Sequence, residues 1–178
     1  MLRRRRWLAG ARALDLVLGT RRERPWLGDP ELARLVIERA IEEPETLAVG
    51  VLPDRVLWLL DDWREVERIL RMFRLQAGQY AEICGAPVGR VWQRGFWYRP
   101  LGEEEVLERA RQIVRAAEEA GLRSCQADWP AGLSSLVDEE GRVLQWTLRS
   151  TRREPLREER HGPEHPQRRD RSAGRGGG

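Results

Sequence analysis

Between residues 63 and 99 the chain carries seven arginines against three glutamates. From residue 90 onward the arginines are interleaved with Trp92, Phe96, Trp97 and Tyr98. Guanidinium groups grip phosphate oxygens, and flat aromatic rings stack on unpaired bases, so this mixture has the chemistry of a single-stranded nucleic-acid surface. Arg64, Arg68 and Arg71 recur at helical spacing, away from an apolar stripe, with Arg74 a further candidate on the same helix. Arg90, Arg94, Trp97 and Arg99 follow in an extended stretch. Those seven residues, without Arg74, form the candidate DNA-binding set. For the aromatics a competing reading weighs equally: Trp92 and Phe96 as core, with the charges as solvated surface.

Other reactive types offer less. Tyr98 stands near Arg94 and Arg99, which would steady a phosphate, but a stacking or buried aromatic is the better reading; Tyr80 falls on an apolar stripe. His161-Gly162-Pro163-Glu164-His165 spells an inverted zincin pattern. That chemistry needs both imidazoles on one helical turn, and Gly162, Pro163 and Pro166 break any regular helix there. Cys84 and Cys125 do not make a disulfide framework, which points to a reducing, cytoplasmic setting.

The 178 residues suit one domain with a tail. No apolar run reaches membrane-spanning length, and MLRRRRWLAG is not followed by the apolar stretch and cleavage site of a signal peptide. All 32 basic residues are arginine, a pattern best read as codon bias. The net charge of +3 conceals an asymmetry. Residues 1–24 carry eight Arg against two acids, and residues 149–178 carry nine against five, whereas the middle carries fifteen against twenty-two. Charge alone is therefore a poor argument for nucleic-acid binding. The Arg3–Arg6 run and the tail add only sequence-blind, salt-sensitive attraction.

The elements that must position these residues follow from periodicity. ALDLVLGT (13–20) alternates, with Leu14, Leu16 and Leu18 on one face of a strand. Arg21 to Trp26 is a polar connection. Asp29-Pro30-Glu31 supplies an N-cap, a proline at the first helical position and an acid in the first turn, opening a helix to about Glu43. Strands over 46–52 and 55–60 flank a Pro53-Asp54 turn. A long helix runs from Trp63 to about Cys84 on a stripe of Val66, Ile69, Leu70, Phe73, Ala77 and Tyr80. Residues 91–101 are extended. A third helix covers 103–120, with Val106, Ala110, Ile113, Val114 and Ala117 inward and Gly121 closing it. Val143–Leu148 is one further candidate strand. From Arg149 the chain is polar and rich in Arg, Glu, Pro and Gly, which predicts a disordered tail (149–178) after a folded domain (1–148). The order predicts an α+β fold, ferredoxin-like or RRM-like, with a small antiparallel sheet and helices packed on one face.

Five segments over about residues 12–136 resemble the REP-associated tyrosine transposases, members of the single-tyrosine HUH insertion-sequence transposases. RERPWLGDPELARLV (22–36) is similar to the family's GRRPLFxDPExARLV, and VLPDRVLWLL (51–60) to VMPDHVHLLL. VWQRGFWYRPLGEEEVL (91–107) resembles VWQRGFYDRVIRDEEEL, ARQIVRAAEEAGL (110–122) resembles ARYIVANPVRAGL, and DWPAGLSSL (128–136) resembles DYPWSSY. The resemblance implies a fold in which two histidines on one strand hold a divalent metal and a helix-borne tyrosine nicks one DNA strand. Arg55 and Leu57 stand at the two histidine positions and Gln112 at the tyrosine. Guanidinium has no free lone pair, leucine offers none, and glutamine is no nucleophile.

The resemblance therefore implies DNA, single-stranded or hairpin, as partner, and leaves a homodimer open. The substitutions predict no catalytic residue, no metal, no cofactor and no nicking. Two alternatives stand beside this reading: a non-DNA interaction or structural protein reusing the scaffold, and a decaying transposase copy.

Overall fold

The computed structural model describes residues 11–61, 66–86 and 91–144. The chain divides into two units, Met1–Trp146 and Thr147–Gly178. The Arg3–Arg6 run, Arg64, Arg90, the His161–His165 motif and the expected disordered tail all lie outside the described residues, as does the end of the Val143–Leu148 strand.

The first six elements alternate as β1 (Ala13–Gly19), α1 (Pro30–Ile41), β2 (Thr46–Leu52), β3 (Arg55–Leu60), α2 (Val66–Ile83) and β4 (Trp97–Leu101). They are followed by α3 (Glu103–Glu119), α4 (Leu122–Cys125) and a two-residue β5 (Leu133–Ser134). The sheet is antiparallel throughout, in the order β4-β1-β3-β2-β5. Its first four strands have the split βαβ arrangement of ferredoxin-like folds. The α+β expectation holds.

Local chemistry accounts for the elements. Asp29 accepts a hydrogen bond from the Leu32 amide at 2.9 Å, with Pro30 at the first helical position, so α1 starts where its orphan amides are satisfied. Gly121 adopts φ 72° just beyond α3, the left-handed conformation that ends a helix. One edge of the sheet is β4, where Pro100 is tolerated because an edge strand has an unpaired side. At the other edge β5 pairs with Ala48 and Val49, and the Trp129 indole donates to the Val51 carbonyl at 3.2 Å.

Two cores sit on opposite faces of this sheet. On the first, Leu14, Leu16, Leu18, Val56, Trp58 and Leu60 meet Leu32, Val36 and Ile37 of α1 and Ile69, Leu70 and Phe73 of α2. The Trp58 indole donates to the Thr46 hydroxyl at 3.0 Å, and that hydroxyl donates to the Ala40 carbonyl at 2.6 Å, so the burial of this indole costs no unmet hydrogen bond. On the second face, Ala13, Ala48, Leu59 and Leu101 meet Val106, Ala110, Ile113 and Val114 of α3. The sequence expectation placed all helices on one face. That holds for α1 and α2; α3 instead covers the opposite face, because its apolar stripe needs a partner and the first face is already filled.

A glycine makes this second layer possible. A Cβ on Gly50 of β2 would lie 2.6 Å from the Ile113 carbonyl oxygen of α3. The helix backbone thus rests almost directly on the strand.

Candidate nucleic-acid interface

Side chains alternate across a strand, so Arg55 and Leu57 of β3 face the α3 side of the sheet, with Val17 and Gly19 beside them on β1. Trp97 pairs with Val17, and Arg99 with Asp15, on the same face. α3 covers one end of this face. At the other end lies a recess of about 340 Å³, lined by Val17, Gly19, Glu23, Asp54, Arg55, Gln93, Arg94, Phe96 and Trp97.

Two backbone segments form the recess walls. The Arg21 amide donates to the Val91 carbonyl and the Gln93 amide to the Gly19 carbonyl, which ties the end of β1 to the loop before β4. Arg74 of α2 braces that loop from behind. It donates to the Gly95 carbonyl and lies 5.9 Å from the Phe96 ring centroid, and burial lowers its pKa. Arg74 is therefore an internal anchor and does not belong to the outward basic face that its spacing suggested. The Trp92 indole donates to the Arg74 carbonyl at 3.0 Å and its ring packs 5.9 Å from Phe73. Phe96 and Tyr98 pair at 5.7 Å against the first core. For these three aromatics packing is the observed role. Trp97 differs: its residue is 53% exposed and its ring makes no ring contact among the described residues.

The structure splits the candidate DNA-binding set. Arg94 and Trp97 share the recess, and Arg94 makes no ion pair or hydrogen bond among the described residues. Arg99 sits two residues along the same strand face and pairs with Glu105 at 2.8 Å. Arg68 and Arg71 are exposed on α2, in the layer beyond the opposite sheet face. Arg64 and Arg90 fall outside the described residues.

Arg55 is held by its neighbour. Its Nε lies 2.9 Å from Asp54 Oδ1 and its Nη2 lies 2.6 Å from Asp54 Oδ2. These hydrogen bonds lower the Asp54 pKa and raise that of Arg55, which also feels Glu23. Leu57 is half-buried against the second core. Gln112 is exposed on α3 and accepts from Arg109 at 3.3 Å. No cluster of three metal-ligating side chains occurs among the described residues.

Sequence reasoning missed Glu23, which belongs to the polar connection, and Gln93, which belongs to the extended stretch 91–101. The signal for Glu23 is conformational. Arg22 and Glu23 adopt φ 59° and 54°, two successive non-glycine residues in the left-handed region. Each such residue costs roughly 1–2 kcal/mol, and glycine escapes most of it. Glu23→Gly is therefore expected to raise folding stability by about 1 kcal/mol in urea denaturation, against the usual destabilising trend of glycine.

No family model and no curated protein matches the chain. Among solved structures, it is similar to a REP-associated tyrosine transposase bound to a REP hairpin. The identity is 20%, the match covers 74% of this chain and 82% of that one, and the TM-score is 0.47.

Proposed function

We propose that this chain is a transposase-like protein that binds single-stranded or hairpin DNA without nicking it. One observation carries the reading: an exposed Trp97 beside an Arg94 that has no partner among the described residues, at the mouth of a recess on the partly covered sheet face. The ring offers a stacking platform for an unpaired base and the guanidinium a phosphate contact. The sequence segments that resemble the REP-associated transposases supply the second support. Arg99, Arg68 and Arg71 add longer-range attraction in this reading.

The proposed loss of nicking rests on the same geometry. Arg55 is a cation already paired with Asp54, and Leu57 is apolar, so these positions do not suit a divalent metal. Tyr98 packs on the other side of the sheet from the recess, which leaves it badly placed as a substitute nucleophile. Titration with Mn²⁺ in a calorimeter is expected to show no tight one-to-one site. A tight site lost in Asp54→Ala would overturn this part of the reading.

The binding test uses a DNA hairpin with a single-stranded flank, followed by anisotropy at about 0.15 M salt. Removing one stacked aromatic costs about 1–3 kcal/mol, so Trp97→Ala is expected to weaken binding about tenfold or more. Arg94→Ala is expected to weaken it and to make its salt dependence shallower. Binding that neither change affects would refute the assigned surface. No binding at all would favour the non-DNA or decaying-copy alternative.

A further inference from the structure

Glu23 is a carboxylate without an assigned task. It lines the recess within electrostatic reach of Arg55, yet its carboxylate makes no hydrogen bond or ion pair among the described residues. Asp54, the other carboxylate there, is fully engaged by Arg55. Glu23 is also delivered by two consecutive left-handed residues, a conformation that nothing in its own side-chain bonding repays. Unrepaid backbone strain at a cleft is a pointer toward ligand contact.

We infer that the recess takes one unpaired guanine nucleotide, with its base stacked on Trp97 and its Watson–Crick edge donating to Glu23. This rests on the DNA-binding reading above and adds base selectivity to it. The argument is one of donors and acceptors. A carboxylate is acceptor-only and receives two parallel hydrogen bonds when the partner presents two adjacent donors. Guanine has such a pair, N1–H beside the 2-amino group. Adenine and cytosine each place an acceptor nitrogen next to their amino group, which would face the second carboxylate oxygen as lone pair against lone pair. Thymine places its one N–H between two carbonyls.

Size and surroundings agree. A volume of about 340 Å³ lies at the small end of ligand sites, room for one nucleotide and not for a duplex. Arg94 lines the same recess and is available to the nucleotide's phosphate. Gln93 is packed against Gly19, where an added Cβ would come within 2.7 Å of its Nε2, so the amide group closes one side of the recess.

The test uses the full chain and four pentanucleotides, TTGTT, TTATT, TTTTT and TTITT, in which I is the hypoxanthine nucleotide lacking the 2-amino group. Affinities are read by anisotropy at one salt concentration, as ratios, so that general attraction by the many arginines cancels. A good bidentate contact is worth about tenfold in discrimination, so TTGTT is expected to bind about tenfold tighter than TTATT and TTTTT, with TTITT between. In Glu23→Gln the TTGTT to TTATT ratio is expected to fall to about one. In Trp97→Ala all four weaken while the ratio persists. Equal affinities in the unaltered protein would overturn the guanine inference and leave the DNA-binding reading standing. A guanine preference that survives in Glu23→Gln, with circular dichroism unchanged, would overturn the role of Glu23. Failure to bind any strand or the hairpin would overturn both.

Discussion

Asp15→Ala is expected to lower folding stability by about 3–5 kcal/mol in urea denaturation, the usual cost of breaking one side of a buried ion pair. Asp15 sits on β1 under α3 and is 2% exposed. Its Oδ1 lies 3.0 Å from Nε of Arg109, whose side chain is 18% exposed. The separation is that of an ion pair, and neither atom has another partner among the described residues. Deleting the acid would leave a guanidinium in the same low-dielectric gap, with only Gln112 among the described residues to receive its Nη1. The double replacement Asp15→Leu with Arg109→Met is expected to regain most of the loss, since an apolar pair needs no compensation. A loss below about 1 kcal/mol in Asp15→Ala would show that solvent reaches the pair.

The same carboxyl supplies a pH signature. Burial raises the Asp15 pKa, and Arg109, with a smaller contribution from Arg99, only partly counters it. A folded-state value above the unfolded one means that the folded state holds this proton more tightly. The stability from Asp15 is then fully present below the unfolded pKa and declines as pH rises through the folded one. Relative to Asp15→Asn, the unaltered protein should gain stability as pH falls from neutrality toward about 4.

Gly50→Ala is the second large effect expected, a loss of about 3 kcal/mol, the upper part of the usual range for overpacking. The new methyl would meet the Ile113 carbonyl oxygen at 2.6 Å, and a backbone atom cannot swing aside as a side chain can. α3 would have to lift from β2. Gly132 packs against the same stretch, with an added Cβ 2.7 Å from that oxygen, so it blocks one direction of retreat. A melting temperature unchanged in Gly50→Ala would mean that α3 is not seated as described.

Much of the scaffold was legible because its signals are local. The Asp29-Pro30 start of α1, the stripe Val66, Ile69, Leu70, Phe73 and Ala77, and the inward residues of α3 depend on neighbours within a few turns. What failed to read was the partner of each face. Period-two reading of ALDLVLG puts Leu14, Leu16 and Leu18 on one face and says nothing of what covers Asp15 on the other. It is buried because α3, nearly ninety residues later, returns to cover the other side. Arg74, only a further candidate by its spacing, is an internal anchor for a similar reason. Helical spacing gives a direction around the axis, and only the fold shows that the loop at Gly95 and Phe96 lies in that direction. In the recess, Arg94 and Trp97 were marked by residue type. Glu23 was not, because an unusual φ leaves no trace in a sequence without glycine at that place.

The two borders of the sheet have a consequence for how copies of this chain could meet. At the β5 border the ladder on β2 is only two residues long, and beyond them the Val51 carbonyl of β2 is occupied by an indole instead of being left for a visiting strand. At β4 the five-residue border contains a proline, which has no donor to extend a ladder, next to a charged Arg99. Neither border is a good template for an incoming strand. Self-association by continuing the sheet from molecule to molecule is thus discouraged at both described borders, which leaves the helices and loops as the surfaces of the described residues more open to a second copy.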